Sequence, residues 1–207
     1  MYYICTEGDF MSRKEFDLEK LIQEYNGHLT SKDLFSNGFT KYDVAQFVKN
    51  GLLERVARGK YLAKNTLDDA FKLVQMNNQK IIFSNETALY LHDMTGRFPS
   101  EMTVTTESGY HLRDASLKVY YVKKELLYLG MIEMENYFGN KVFVYDKERT
   151  ICDIIRNKNR MDMQVYLEGL QSYFLKGKPN LRKLSEYAKE MGISEKVMEV
   201  ALLYGRP

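Results

Sequence analysis

The chain reads as an α+β protein in two parts, and three observations carry that reading. The first fifty residues hold three helix starts built on one rule. A short two-stranded hairpin follows them, closed at Arg58-Gly59. Beyond it the periodicity alternates between two and 3.6 residues, as mixed strands and helices require. We place an N-terminal domain at residues 1–63 and a C-terminal domain at 64–207. The latter divides into an α+β part, 64–155, and a helical part, 156–207.

The helix starts are Met11-Ser12-x-x-Glu15-Phe16, Leu29-Thr30-x-x-Asp33-Leu34 and Phe39-Thr40-x-x-Asp43-Val44. Each sets an apolar residue before a hydroxyl cap, an acid three residues on and an apolar residue after it. That is a capping box joined to a hydrophobic staple, and the acid suits the positive end of the helix dipole. The first helix buries Leu18, Leu21, Ile22 and Tyr25. The second spans about Ser31 to Ser36, and the third ends at Gly51. Leu52–Val56 and Lys60–Ala63 are the hairpin strands. Helix, short helix, helix, hairpin is the order of a winged helix-turn-helix.

On the third helix Val44, Phe47, Val48 and Gly51 share one stripe. Tyr42, Ala45, Gln46 and Lys49 share the opposite one. The second stripe is polar, short and lightly charged, which lets a helix approach base edges in a major groove. Thr40 and Lys41 stand at its start, and Arg55, Arg58 and Lys60 bring cations to the hairpin, suited to phosphates. The candidate DNA-binding set is Thr40, Lys41, Tyr42, Gln46, Lys49, Arg55, Arg58 and Lys60. Between His28 and Ala63 six bases face three acids, a local excess of three.

Composition limits the alternatives. Across 207 residues the formal charge is only +2, so a nucleic-acid site must be a local patch. Hydrophobic residues at 44% and aromatics at 13% support a packed core. Cys5 and Cys152 are too few for a disulfide framework or a zinc site and fit a cytoplasmic chain. No apolar run approaches the roughly 20 residues needed to cross a bilayer, and Met1–Phe10 does not read as a signal peptide.

In the second part Thr66 caps a helix bearing Leu67, Ala70, Phe71 and Val74. Ile81–Ser84, Met102–Thr106, Leu117–Val122, Glu133–Phe138 and Lys141–Tyr145 read as strands, with Gly139-Asn140 as a two-residue hairpin turn. Ser84 caps a helix over Asn85–Met94, and Lys123–Leu129 is a short helix or turn. The expected sheet is small and mostly antiparallel. From Asp146 the chain is helical. Ile151, Ile154 and Ile155 mark one helix. Tyr166, Leu167, Leu170, Tyr173 and Phe174 mark another. Leu181, Leu184, Ala188 and Met191 then precede a last helix with Val197, Val200, Ala201 and Tyr204.

Chemistry-bearing residues are sparse. His28, His92 and His111 are scattered, with no Cys or acid at metal spacing, so no metal or other cofactor is expected. Ser84, His92 and Asp93 lack an oxyanion-type Gly motif. Glu86, Asp146 and Glu148 could serve a metal-dependent nuclease if they converged. The alternative is that Glu86-Thr87 and Glu148-Arg149-Thr150 hold the domain together through buried polar contacts, with Arg149 and Asp153 paired at i, i+4. A possible second basic patch comprises Arg149, Arg156, Lys158 and Arg160, with Arg182 and Lys183 near it.

Leu53–Tyr61, Ile82–His92, Tyr137–Asn140 and Tyr145–Asp153, in that order, resemble the AbiEi-type antitoxins, transcriptional regulators of type IV abortive-infection toxin–antitoxin systems. The resemblance runs from about Asp17 to Tyr204. Its hairpin segment is generic. The block Ser84-Asn85-Glu86-Thr87-Ala88-Leu89-Tyr90-Leu91-His92 together with Glu148-Arg149-Thr150-Ile151-Cys152-Asp153 is far more specific. The resemblance implies a non-enzymatic repressor that binds double-stranded DNA at inverted repeats in its own promoter. It further implies a second domain that counters a nucleotidyltransferase-like toxin in phage defence. Residue by residue, it extends to Tyr42, Gln46, Lys49, Arg58 and Lys60 alone. A metal-dependent nuclease, or another nucleic-acid-modifying effector built on the second domain, is the contrasting expectation.

Overall fold

The computed structural model describes residues 13–78, 80–112 and 114–204. The chain is mixed α and β and falls into two compact units. One runs to Asn77 and takes in Phe138–Asn140; the other holds Asn78–Tyr137 and Lys141 onward. Among the described residues no helix is long and apolar enough to cross a membrane. The cap expected at Ser12 lies outside the described residues.

The first unit runs α1 (Arg13–Glu24), β1 (His28–Thr30), α2 (Ser31–Ser36), α3 (Lys41–Lys49), β2 (Leu53–Ala57), β3 (Lys60–Ala63) and α4 (Ala70–Asn77). The two later capping boxes form as the sequence predicts. Thr30 Oγ1 accepts from the Asp33 amide at 3.2 Å while Asp33 Oδ2 accepts from the Thr30 amide at 2.8 Å. Thr40 and Asp43 repeat the same distances. The short strand β1 is not read from the sequence, because three residues give no periodicity. It exists only through antiparallel pairing with β3, in a sheet of order β1-β3-β2. Beneath the sheet Leu18, Leu21, Leu29, Leu34, Phe39, Val44, Phe47 and Leu53 form one core. Phe39 meets Phe47 edge to face at 5.4 Å.

Thr66 does not cap the next helix. It lies against Gly27, whose φ of +76° and lack of Cβ permit the approach; a Cβ there would sit 2.0 Å from the Thr66 hydroxyl. Asp69 caps α4 instead, accepting from the Lys72 amide at 3.1 Å. Leu67 is left exposed.

The second unit contains β4 (Ile82–Phe83), α5 (Asn85–Leu91), β5 (Met102–Glu107), β6 (Leu117–Val122), α6 (Lys124–Leu127), β7 (Met131–Glu135) and β8 (Lys141–Tyr145). Then come α7 (Lys147–Arg156), α8 (Met163–Gln171), α9 (Leu181–Glu190) and α10 (Ser194–Tyr204). Its sheet has order β6-β5-β4-β8-β7 and is not mostly antiparallel. β5–β6 and β4–β8 are parallel, while β4–β5 and β7–β8 are antiparallel. Residues 108–116 carry the chain back along β5, so β6 starts at the same end. Side-chain alternation is identical for both pairings, so the sequence pattern does not separate them. Ladder pairing ends at Glu135 and Lys141. The β7–β8 connection is therefore five residues long, not the two-residue turn expected at Gly139-Asn140.

The helices share one core of Leu89, Ile151, Cys152, Ile154, Leu170, Leu184 and neighbours. Within it Arg149 has no solvent exposure. Its Nε donates to Asp153 Oδ1 and Oδ2, both at 3.2 Å, and its Nη1 to the Leu126 and Leu129 carbonyls at 2.7 and 2.8 Å. The Tyr145 ring lies 4.2 Å from the guanidinium carbon. Removing one partner of a buried pair leaves the other charge uncompensated. Arg149→Met is therefore expected to destabilise the protein by about 3–5 kcal/mol, and the double variant Arg149→Met, Asp153→Leu by much less. Urea denaturation measures both. A double variant as unstable as the single would show that packing, not the unpaired charge, sets the loss.

Candidate nucleic-acid interface

Helix α3 turns Val44 and Phe47 into the core of the first unit and leaves Lys41, Tyr42, Ala45 and Lys49 exposed. Tyr42 is 71% exposed, so no packing accounts for its ring. Gln46 is half-buried between the two faces. The spacing that predicts a polar outer stripe thus describes the surface of α3.

Thr40 takes a different role from the one expected. Its hydroxyl accepts from the Asp43 amide and donates to Asp43 Oδ2 at 2.7 Å, so it is committed to the helix start and not left free for a ligand. Asp43 also receives Lys14 Nζ at 2.6 Å. The Lys14 bond, then the Thr40 bonds, hold the Asp43 carboxyl down at about 2. Sequence reasoning gives Lys14 no part here, since it lies 29 positions away and no local pattern links the two.

On the hairpin, Arg55 and Arg58 are exposed. Arg55 Nε makes only a long bond to the Ala57 carbonyl, at 3.4 Å. The tip is anchored, because the Ser31 amide at the start of α2 donates to the Gly59 carbonyl at 2.8 Å. Lys60 is half-buried; burial pulls its pKa down while Asp33 pushes it back up. Of the hairpin cations, Arg55 and Arg58 are the available ones.

The second basic patch loses a member. Arg149 is wholly inside the core, where Asp153 and two backbone carbonyls bind its Nε and Nη1 while Nη2 is buried without a partner, so it is no surface cation. Arg156, Lys158 and Arg160 are exposed. Arg160 stacks over Tyr120 at 4.4 Å and Lys158 over Tyr166 at 5.4 Å. Lys183 is held by Asp146 at 2.9 Å and Glu148 at 3.6 Å, and Arg182 by Glu186 at 3.0 Å.

Of the candidate catalytic acids, Asp146 and Glu148 share Lys183, and Glu86 is bound elsewhere, by Lys118. Asp146 caps α7 and accepts from Tyr187 Oη at 3.0 Å, Glu148 accepts from Tyr173 Oη at 3.2 Å, and Glu86 binds Lys118 at 3.0 Å. Among the described residues no three of His, Cys, Asp and Glu are grouped to hold a metal ion. Ser84, His92 and Asp93 do not form a relay. Ser84 Oγ bonds Thr105 and Asn85, His92 Nε2 meets the Tyr145 carbonyl at 2.7 Å, and Asp93 accepts from Tyr137. Burial pushes the Cys152 thiol up to about 12, which leaves it un-ionised at neutral pH.

The Asp43 cluster fixes a pH window. A carboxyl lowered by folding from 3.8 to about 2 adds stability that is complete above the higher value and lost as pH falls through the lower one. The first unit is therefore expected to lose helix signal in circular dichroism between about pH 4 and pH 2. Asp43→Asn is expected to remove that part of the acid transition. Thr40→Ala should lower stability at neutral pH by about 1 kcal/mol. An unchanged acid transition in Asp43→Asn would assign it to other carboxyls.

No family model matches the sequence, and no curated protein matches it. Among solved structures, the crystal structure of the RV2827C protein from Mycobacterium tuberculosis is similar at a TM-score of 0.46 and 10% sequence identity. The similarity covers 93% of this chain and 83% of that one, and it is too slight to carry an argument about either fold or function.

Proposed function

We propose that the first unit is a winged helix-turn-helix that binds double-stranded DNA, with α3 in the major groove and the β2–β3 hairpin against the backbone. The observation that carries this reading is the exposed set Lys41, Tyr42, Lys49, Arg55 and Arg58 on a helix and hairpin of one small core. The element order and the sheet order β1-β3-β2 support it. In this reading Tyr42, Gln46 and Lys49 face base edges, while Lys41, Arg55 and Arg58 meet phosphates. One such module gives modest affinity, so two copies on an inverted repeat are the working unit.

The wider role follows from the resemblance of the Ser84–His92 and Glu148–Asp153 blocks to AbiEi-type antitoxins. In that role the protein is a cytoplasmic repressor of its own operon and opposes a nucleotidyltransferase-like toxin. The burial of these blocks suits a scaffold for that second activity: Ser84, Asn85, Thr87, Arg149 and Thr150 are all inside the second unit.

Fluorescence anisotropy with the DNA upstream of the protein's own reading frame tests the DNA reading. Tyr42→Ala and Gln46→Ala are each expected to weaken binding to that DNA by about 1–3 kcal/mol and to leave binding to random DNA nearly unchanged. Arg55→Ala with Arg58→Ala should weaken both and flatten the slope of log affinity against log salt by about 0.9 for each phosphate that is no longer neutralised. An unaltered slope and equal affinity for both DNAs would reject the interface. Co-expression with the neighbouring toxin reading frame tests the second role; failure to restore growth would reject it.

A further inference from the structure

The end of helix α7 leaves a basic corner that the DNA reading does not use. Arg156 closes α7, Asn157 follows it, and Lys158–Arg160 form one 3₁₀ turn. Two cavities open to solvent meet there. The smaller, about 180 Å³, has Tyr120, Tyr121, Asp153, Arg156, Asn157 and Arg160 in its wall. The larger, about 560 Å³, has Tyr121, Lys123, Glu125, Arg156 and Glu190. Tyr121 and Arg156 belong to both, so the cavities adjoin. All of these residues lie in the second unit.

Arg156 and Arg160 are exposed. Among the described residues the Arg156 side chain makes no hydrogen bond or ion pair. Arg160 is held at two points. Its carbonyl accepts from Lys118 Nζ at 2.5 Å, and its guanidinium carbon stacks 4.4 Å from the centre of the Tyr120 ring. Stacking covers one face of a guanidinium and leaves the N–H groups in its plane, where they suit a phosphate. The charges of the two cavities differ. In the smaller, two guanidiniums face Asp153 alone, and both Asp153 oxygens are already bound by Arg149 Nε at 3.2 Å. The carbonyl end of α7 subtracts about half a charge, which leaves the excess positive. In the larger, Lys123 and Arg156 balance Glu125 and Glu190. Between them Tyr121 is 50% exposed, and among the described residues its ring stacks on no other. A basic residue in the last turn suits the helix dipole by itself. That accounts for Arg156, but not for Arg160 beyond the helix end or for the bare ring of Tyr121.

An occupant of this corner needs an anionic end, an aromatic middle and a neutral end that donates to carboxylates. We propose that it is a nucleotide. The phosphate accepts from Arg156 and Arg160 in the smaller cavity. The base stacks on Tyr121 and turns its N–H groups toward Glu125 and Glu190 in the larger. The nucleotide is either free or one unit of a single-stranded RNA. This goes beyond the reading of the first unit and does not depend on it.

Calorimetric titration of the full-length protein tests the site, with the four ribonucleoside 5′-monophosphates, adenosine, inorganic phosphate and a short single-stranded RNA as probes. At least one monophosphate is expected to bind, with adenosine and inorganic phosphate each about tenfold weaker. Arg156→Ala and Arg160→Ala should each weaken nucleotide binding about tenfold. Tyr121→Leu should weaken it several-fold and leave inorganic phosphate unaffected. Arg156 and Tyr121 are exposed, so their variants keep the test valid if Arg160→Ala unfolds. Arg55→Ala with Arg58→Ala should leave nucleotide binding unchanged, which separates this site from the interface of the first unit. RNA that binds more tightly than every monophosphate supports a strand as the source, and the reverse order supports a free nucleotide. No saturable binding of any monophosphate or of the RNA at millimolar concentration overturns the proposal. So does adenosine binding as tightly as its monophosphate, wild-type affinity in Arg156→Ala or Tyr121→Leu, or loss of nucleotide binding in the Arg55, Arg58 double variant.

Discussion

A guanidinium removed from water needs hydrogen-bond acceptors inside the protein, and in the second unit the acceptors of Arg149 Nε and Nη1, though Nη2 is buried without one, organise several elements at once. Arg149 needs Asp153 one turn further along α7, and it needs the carbonyls of Leu126 and Leu129 brought to it by the end of α6. Those carbonyls reach it because the chain turns at Gly130, where φ is +75° and a Cβ would stand 2.6 Å from the Arg149 Cβ. The strand β8 contributes the Tyr145 ring below the guanidinium, and the Tyr145 hydroxyl donates to the Leu127 carbonyl at 2.7 Å. Asp146 then caps the helix that carries Arg149. Substituting any one of these groups leaves a charge or a carbonyl unanswered, so the α6–β7 turn, the end of β8 and the first turns of α7 are fixed together.

The same physics explains which features of the fold can be read from the sequence. The boxes at Thr30–Asp33 and Thr40–Asp43 are legible because every interacting atom lies within four residues. The faces of α3 and α7 are legible because burial repeats at the helical period. Strand β1 is not, since its three residues are held by β3 thirty or more positions later. The parallel pairs escape for the same reason. Arg149 illustrates a subtler limit. The i, i+4 spacing to Asp153 predicts the ion pair that forms, yet spacing is silent on whether a pair lies inside or outside, and the residue also reads as a surface cation beside Arg156. The two carbonyls that draw it inward come from an element some twenty positions upstream. The surroundings of Glu86 are legible only in part. Glu86 stands out within its block, but Lys118, which bonds it, reaches it only through tertiary structure.

At the candidate interface the acids matter as much as the bases. A local excess of three positive charges is small, and Asp33 and Asp43 would reduce the field of any basic surface if they faced outward. They do not act as free carboxylates. Each accepts hydrogen bonds from the amide and hydroxyl of the threonine that starts its helix, and Asp43 is further neutralised by Lys14. The same residues that begin α2 and α3 thereby remove negative charge from the surface, and Lys41, Lys49, Arg55 and Arg58 are left exposed.

Both units satisfy carboxylates at helix starts, Asp33 and Asp43 in the first and Asp146 and Asp162 in the second, and the second also buries whole ion pairs. In the first, carboxylates are satisfied by backbone at helix starts and cations remain in water, where they keep their long-range field and their freedom to meet a phosphate. In the second, cation and anion are buried together as Arg149–Asp153 and, closer to the surface, as Lys118–Glu86. A buried pair has little field left to attract a distant partner, but it fixes direction closely, because each remaining lone pair points along one line.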